Sequence, residues 1–166
     1  MIDFLIQFFG GISPELASAL LASLPVTELR AALPIALLVF ELDPFTAYFW
    51  TVFGNLIPIL LVYLILPPLM MFALRYTPRL NRRLETFFDV LKTKHGDRYS
   101  KWGAFFLFLF VAMPLPGTGV WTGTVLAVVF RIKPTLAISY IVAGLLVAGL
   151  LVLAITQGVF RGGTFL

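Results

Sequence analysis

Of the chain's 166 residues 60% are apolar and only 12% charged, with a mean hydropathy of +1.01. Soluble domains carry roughly 25% charged residues, so a soluble enzyme or carrier is excluded and 1–166 is read as one membrane domain. The net charge of +4 does not point to nucleic acid, because eight basic residues (Arg75, Arg79, Arg82, Arg83, Lys92, Lys94, Arg98, Lys101) fall in one segment between apolar stretches. That distribution marks a cytoplasmic loop under the positive-inside rule.

The first residues, MIDFLIQFFGG, carry Asp3 where a signal peptide has basic residues, and no small-residue cleavage site follows. A signal peptide is not expected. Four apolar blocks then appear: 12–42, 45–74, 102–130 and 134–160. Block 12–42 opens on the start signal Ser13-Pro14-Glu15, is interrupted at Leu24-Pro25-Val26-Thr27, and resumes at Thr27-Glu28. Block 45–74 is long enough to span a bilayer, since roughly 20 residues cross the hydrocarbon core. Pro44 stands at its start, where a missing N–H costs nothing, and Asn55 and Pro58 fall in mid-span.

The segment 75–101 holds an amphipathic pattern. Thr77-Pro78 opens a helix and Gly96 closes it, with Leu80, Leu84, Phe87, Phe88 and Leu91 on one face. A helix lying on the cytoplasmic surface of the membrane is expected. Block 102–130 is broken at Met113-Pro114-Leu115-Pro116-Gly117-Thr118-Gly119, and block 134–160 spans from Pro134. Pro25, Pro34, Pro58 and Pro114 are taken as structural breaks. Backbone that leaves the helix at membrane depth must be buried in protein or line a wet cavity, so the first and third blocks are expected as re-entrant, broken-helix hairpins.

Laying the fourth block on the second pairs Pro44 with Pro134, Ala47 with Ala137, Val52 with Val142 and Gly54 with Gly144. With one residue of slippage Pro25 meets Pro114. The matching corners, Glu41-Leu42-Asp43 and Arg131-Ile132-Lys133, are opposite in charge and are expected on opposite sides of the membrane. The expected fold is therefore an all-α inverted repeat, with repeat 1 over 12–74, a linker over 75–101 and repeat 2 over 102–160. Inverted halves whose discontinuous helices meet at midplane are a transporter architecture.

Glu28 and Arg30 are the only ionisable side chains between Glu15 and Glu41, and charges inside a membrane are functional candidates by default. Glu28 is the expected proton-coupling group. Arg30 and the amides of Gly117, Thr118 and Gly119, at the start of a half-helix, are expected to cradle an anionic head. Glu28 and Arg30 are not expected to pair closely, because residues two apart do not face each other on a helix. The structural alternative is that Glu28 caps its own half-helix and Arg30 bonds exposed carbonyls. Asn55, Pro116, Trp121 and Thr122 complete the candidate substrate-binding set. The stripe Gly144, Ala148, Gly149 is read as close helix packing. His95 is a lone histidine, so no metal or cofactor is expected, and no catalytic constellation points to an enzyme.

Three stretches carry a resemblance: Pro25-Val-Thr-Glu28-Leu-Arg30-Ala-Ala-Leu-Pro34, Gly54-Asn55-Leu-Ile-Pro58, and Pro114-Leu-Pro116-Gly117-Thr118-Gly119-Val-Trp121-Thr122-Gly123. They resemble the small multi-drug export protein family, related to the wider DedA (VTT-domain) superfamily. The resemblance implies paired re-entrant hairpins and a transporter or lipid-translocating role. DedA-type relatives imply polyprenyl-phosphate or phospholipid substrates and, in some, proton dependence. Glu28 and Arg30 fit their acidic and arginine positions, while the second hairpin carries no charge of its own. The leading expectation is a proton-coupled secondary transporter or lipid translocase for a phosphate-headed substrate in the inner membrane. Its rivals are a proton-coupled exporter of small amphipathic cations and a non-transporting membrane scaffold. Membrane lipids and a second copy of the chain are the expected partners, since two full spans bury little surface.

Overall fold

The computed structural model describes residues 11–77, 82, 86, 102–115 and 117–162, which are helical with no strand among them. Helix α1 (Pro14–Ser23) begins with Pro14 in its first turn and Ser13 as its cap, whose side chain accepts from the Leu16 N–H at 3.4 Å. It stops at Leu24 because the residue before a proline is pushed out of the helical basin. A short turn leads to α2 (Glu28–Leu38). A corner then folds the chain back, with the Leu42 N–H donating to Ala36 O at 3.0 Å and Glu41 in the left-handed region at φ 54°. The 33-residue α3 (Pro44–Tyr76) follows, capped by Asp43 Oδ1, which accepts from Phe45 and Thr46 N–H at 3.1 Å each.

The same order, short, short, long, then recurs. α4 (Trp102–Ala112) stops at Met113-Pro114, α5 (Val120–Val129) follows, a corner places Arg131 at φ 51°, and α6 (Pro134–Gly162) completes the chain. The buried face of α2 is Leu29, Ala32, Leu33 and Ala36, and that of α5 is Val120, Gly123, Thr124 and Ala127. Both follow the i, i+3, i+4, i+7 spacing of one helix face. Pro44–Phe72 and Pro134–Val159 are each long and apolar enough to cross a membrane. They run antiparallel: Pro44 lies across a cleft from Gln157, and Tyr48 donates to Leu146 O at 3.0 Å. The acidic corner before α3 and the basic corner before α6 therefore lie at opposite ends of the molecule.

Helices in lipid gain little from hydrophobic burial against each other, so close packing and hydrogen bonds hold them. Small residues supply the approach here. A Cβ on Gly54 would collide with the α1 backbone at Ala19, and one on Gly144 would stand 2.7 Å from the α4 carbonyl of Phe108. Gly144, Ala148 and Gly149 are all buried, as the stripe suggested, with Gly149 against the Tyr48 ring. One apolar cluster runs through α2 to α6 and includes Leu33, Leu107, Ile141 and Leu145. A smaller one joins Ala17, Leu21 and Ala22 of α1 to Ala32.

Two expected breaks are absent. Pro34 lies inside α2 and Pro58 inside α3, and both helices run on through them, as α3 also does through Pro67 and Pro68. A single proline removes one N–H and crowds one carbonyl, a local defect that packed neighbours restrain; Pro58 itself is fully buried. Pro25 and Pro114 do sit in non-helical turns. The amphipathic helix expected over 77–96 lies, apart from Thr77, Arg82 and Thr86, outside the described residues.

Candidate functional site

Each break leaves helix ends whose N–H and C=O groups lack intrahelical partners. Lipid cannot satisfy them. In the second break α4 ends on free carbonyls, while α5 starts from Gly119, a cap residue with no side chain to offer. One donor is local, the Leu115 N–H bonding Met113 O at 2.9 Å, and others come from the first break. Arg30 Nη2 donates to Met113 O at 2.8 Å and Val111 O at 3.2 Å, and also to Thr118 O. The Glu28 carboxylate accepts the Trp121 backbone N–H and lies where a Cβ on Gly119 would stand. A carboxylate thus sits at the positive end of α5 and a guanidinium at the negative end of α4, each matched to its helix dipole.

The reverse exchange also occurs. The Trp121 indole Nε1 donates to Ser23 O at 3.0 Å, closing the carbonyl end of α1. Thr27 Oγ1 donates to Leu21 O in the same turn, and Thr118 Oγ1 lies 2.8 Å from Met113 O and 2.9 Å from Leu115 O in the other. Each break is therefore closed partly by side chains of the other.

Glu28 and Arg30 do pair, Oε2 to Nη1 at 2.7 Å, contrary to the expectation from helical spacing. The reason lies in the backbone. Glu28, the first residue of α2, has φ 43°, outside the helical basin, so the rule that residues two apart diverge does not apply to it. A non-glycine residue at positive φ is strained, and the contacts of its carboxylate hold it there. Arg30 Nε is buried with no hydrogen-bond partner among the described residues.

Beside this pair lies a cleft of about 370 Å³, lined by Pro25, Glu28, Arg30, Pro114, Gly117 and Thr122 among others. Gly117 turns the chain there at φ 81°. Thr118 and Gly119 are bonded to Arg30 or packed on Glu28. The Glu28 carboxylate thus lies against Gly119 and accepts the Trp121 backbone N–H, while the Thr118 N–H is turned to Leu115 O, so the chain's own carboxylate stands beside the turn expected to cradle a ligand. Trp121 is engaged at Ser23 and is not among the cleft residues. Asn55 is buried in α3, its Nδ2 3.4 Å from Thr51 O and its Oδ1 without a partner among the described residues, and it too stands apart from the cleft. Pro116 lies outside the described residues. The acceptors Val111, Met113 and Ser23 were not expected; their only signal is that a break without its own charges leaves carbonyls to be bonded from elsewhere.

The described fold is thus all-helical, with two spanning-length apolar helices and a charged cleft between two interrupted ones, a build compatible with a membrane protein. Residues 28–151, most of the described fold, match the family whose description is "putative small multi-drug export protein", and the chain belongs to that family. No match was found among curated proteins or among solved structures.

Proposed function

We propose that the chain is a proton-coupled secondary transporter that exports small amphipathic cations, with Glu28 exchanging the proton and the substrate. The observation that carries this reading is the state of the charged groups in the cleft. Both terminal nitrogens of Arg30 are already engaged, by Glu28 and by three carbonyls, which leaves only its Nε among the described residues without a partner, and the α5 N-terminus already holds a carboxylate, so the strongest donors at the cleft are taken up within the chain. Glu28 is the acidic side chain that lines the cleft, and a cation competing with Arg30 for it needs no further anion. Protonation removes the charge that Arg30 and the α5 dipole hold, which releases both breaks together. The family description, a putative small multi-drug export protein, supports an export role.

In this reading the two helix–break–helix pairs are re-entrant hairpins of an inverted repeat in the inner membrane, the basic corner and segment 75–101 being cytoplasmic. The antiparallel run of α3 and α6 and the corresponding contacts of Gly54 and Gly144 support it. A second reading, a phosphate-headed lipid as cargo, is favoured by one observation: a carboxylate occupies the cradle, and a lipid phosphate would replace Glu28 there once it is protonated.

Purified protein in non-ionic detergent separates the two. Tetraphenylphosphonium binding should release a proton from wild type and none from Glu28→Gln. If binding releases no proton while a phosphate-headed lipid takes one up, the cation reading fails and the second stands. If neither ligand binds, both fail and the scaffold reading remains.

A further inference from the structure

We infer that a second cation site lies at the opposite end of α2 from the Glu28–Arg30 cleft. A separate cleft of about 360 Å³ opens there, walled by Leu37, Leu38, Leu42 and Pro44, with Glu41, Thr156 and Gln157 as its polar lining residues. Three features select the ligand. The walls are apolar and partly open to the surroundings, Leu38 being 48% exposed. The C-terminal end of α2, with its negative dipole pole, faces the cleft: the corner N–H groups of Phe40 and Leu42 take the carbonyls of Ile35 and Ala36, and Leu37 and Leu38 come after those two. Glu41 places a carboxylate at the cleft, while the neighbouring Asp43 carboxylate is directed to the start of α3, where it neutralises the positive pole beside Pro44. An organic cation with an apolar body fits this combination, and an anion meets a carboxylate and a negative helix end.

Glu41 is held at φ 54°. The 11 residues of α2 put the two clefts about 15 Å apart along one helix, a short step for a molecule passing between them. The assignment shares the ligand class of the proposed function but does not depend on Glu28 or on transport.

The chain has no cysteine, so the single substitution Leu38→Cys supplies a thiol that reports on this cleft alone. The full-length protein, in non-ionic detergent, is labelled with a maleimide in the presence of dodecyltrimethylammonium. At about ten times the cation's Kd labelling should slow by about tenfold, because only the unoccupied fraction reacts. Glu41→Gln keeps the backbone cost and removes the charge, and should raise the concentration for half-protection by about tenfold. Glu28→Gln should leave protection of the introduced thiol unchanged, whatever it does to the central cleft. Protection that persists undiminished in Glu41→Gln, or equal protection by an uncharged dodecyl analogue, would reveal mere apolar adsorption and overturn the site. So would no protection at all. Protection by phosphatidylethanolamine vesicles before any cation is added would assign the cleft to a lipid headgroup and overturn it equally.

Discussion

Replacing Arg30 by glutamine tests the exchanged caps most directly. The change removes the 2.7 Å ion pair with Glu28 and the charged donor to the carbonyls of Val111, Met113 and Thr118. Breaking a fully buried pair costs about 3–5 kcal/mol because a charge is left uncompensated. The two side chains here are 20% and 12% exposed, and water entering the cleft can re-bond some carbonyls, so about 3 kcal/mol is expected, at the low end of that range. Glu28→Gln should cost less, about 2 kcal/mol, since a glutamine carbonyl still accepts the Trp121 N–H while Arg30 loses its counter-charge. The groups touch, so the double variant should lose about 3–4 kcal/mol, well short of the sum. Reversible unfolding in non-ionic detergent, followed by tryptophan fluorescence, measures all three. A wild-type unfolding curve for Arg30→Gln, or strict additivity of the pair, would refute the interlocked breaks and return Arg30 to the role of a free ligand-binding cation.

Gly119→Ala places a methyl on the Glu28 carboxylate; it should destabilise in a wild-type background and be nearly neutral with Glu28→Ala, a suppression that unfolding of the double variant reads out. Trp121→Phe keeps the ring and loses the donor to Ser23 O, and about 1–2 kcal/mol of stability should go with it. Glu41→Gly relieves the left-handed strain at φ 54° and should raise stability by about 0.5–1 kcal/mol, the steric relief exceeding the added chain entropy. Asp43 titrates below the ordinary aspartate range, chiefly through the Thr46 hydroxyl and then the Thr46 N–H. A lowered folded pKa means its contribution is complete above the unfolded value of about 3.9 and is lost as the pH falls through the folded value. Wild type should therefore lose stability relative to Asp43→Asn on acidification from about pH 4 to pH 2.

The local rules were legible in the chain itself. Apolar blocks of spanning length, Pro44 and Pro134 at helix starts, Ser13 as a cap and the breaks at Pro25 and Pro114 all depend on residues adjacent in sequence, and the structure carries each of them. The close approach at Gly144 and Gly149 was also visible, because helix packing of this kind demands small residues, and both glycines do meet neighbouring helices. Glu28 and Arg30 stood out because an ionisable group in so apolar a block needs a reason.

What those charges do was decided by tertiary structure. The carbonyls that Arg30 bonds come from Val111 to Thr118, and no spacing rule within residues 25–34 can point to them. Helical geometry argued against the Glu28–Arg30 pair, and only the positive φ of Glu28, held by contacts with α5, permits it. Pro58 lies fully buried inside an unbroken α3, packing that the isolated segment could not reveal. Sequence placed two charges beside a break; the fold turned them into caps for the other break, because unpaired backbone groups in lipid must find partners wherever the chain can bring them.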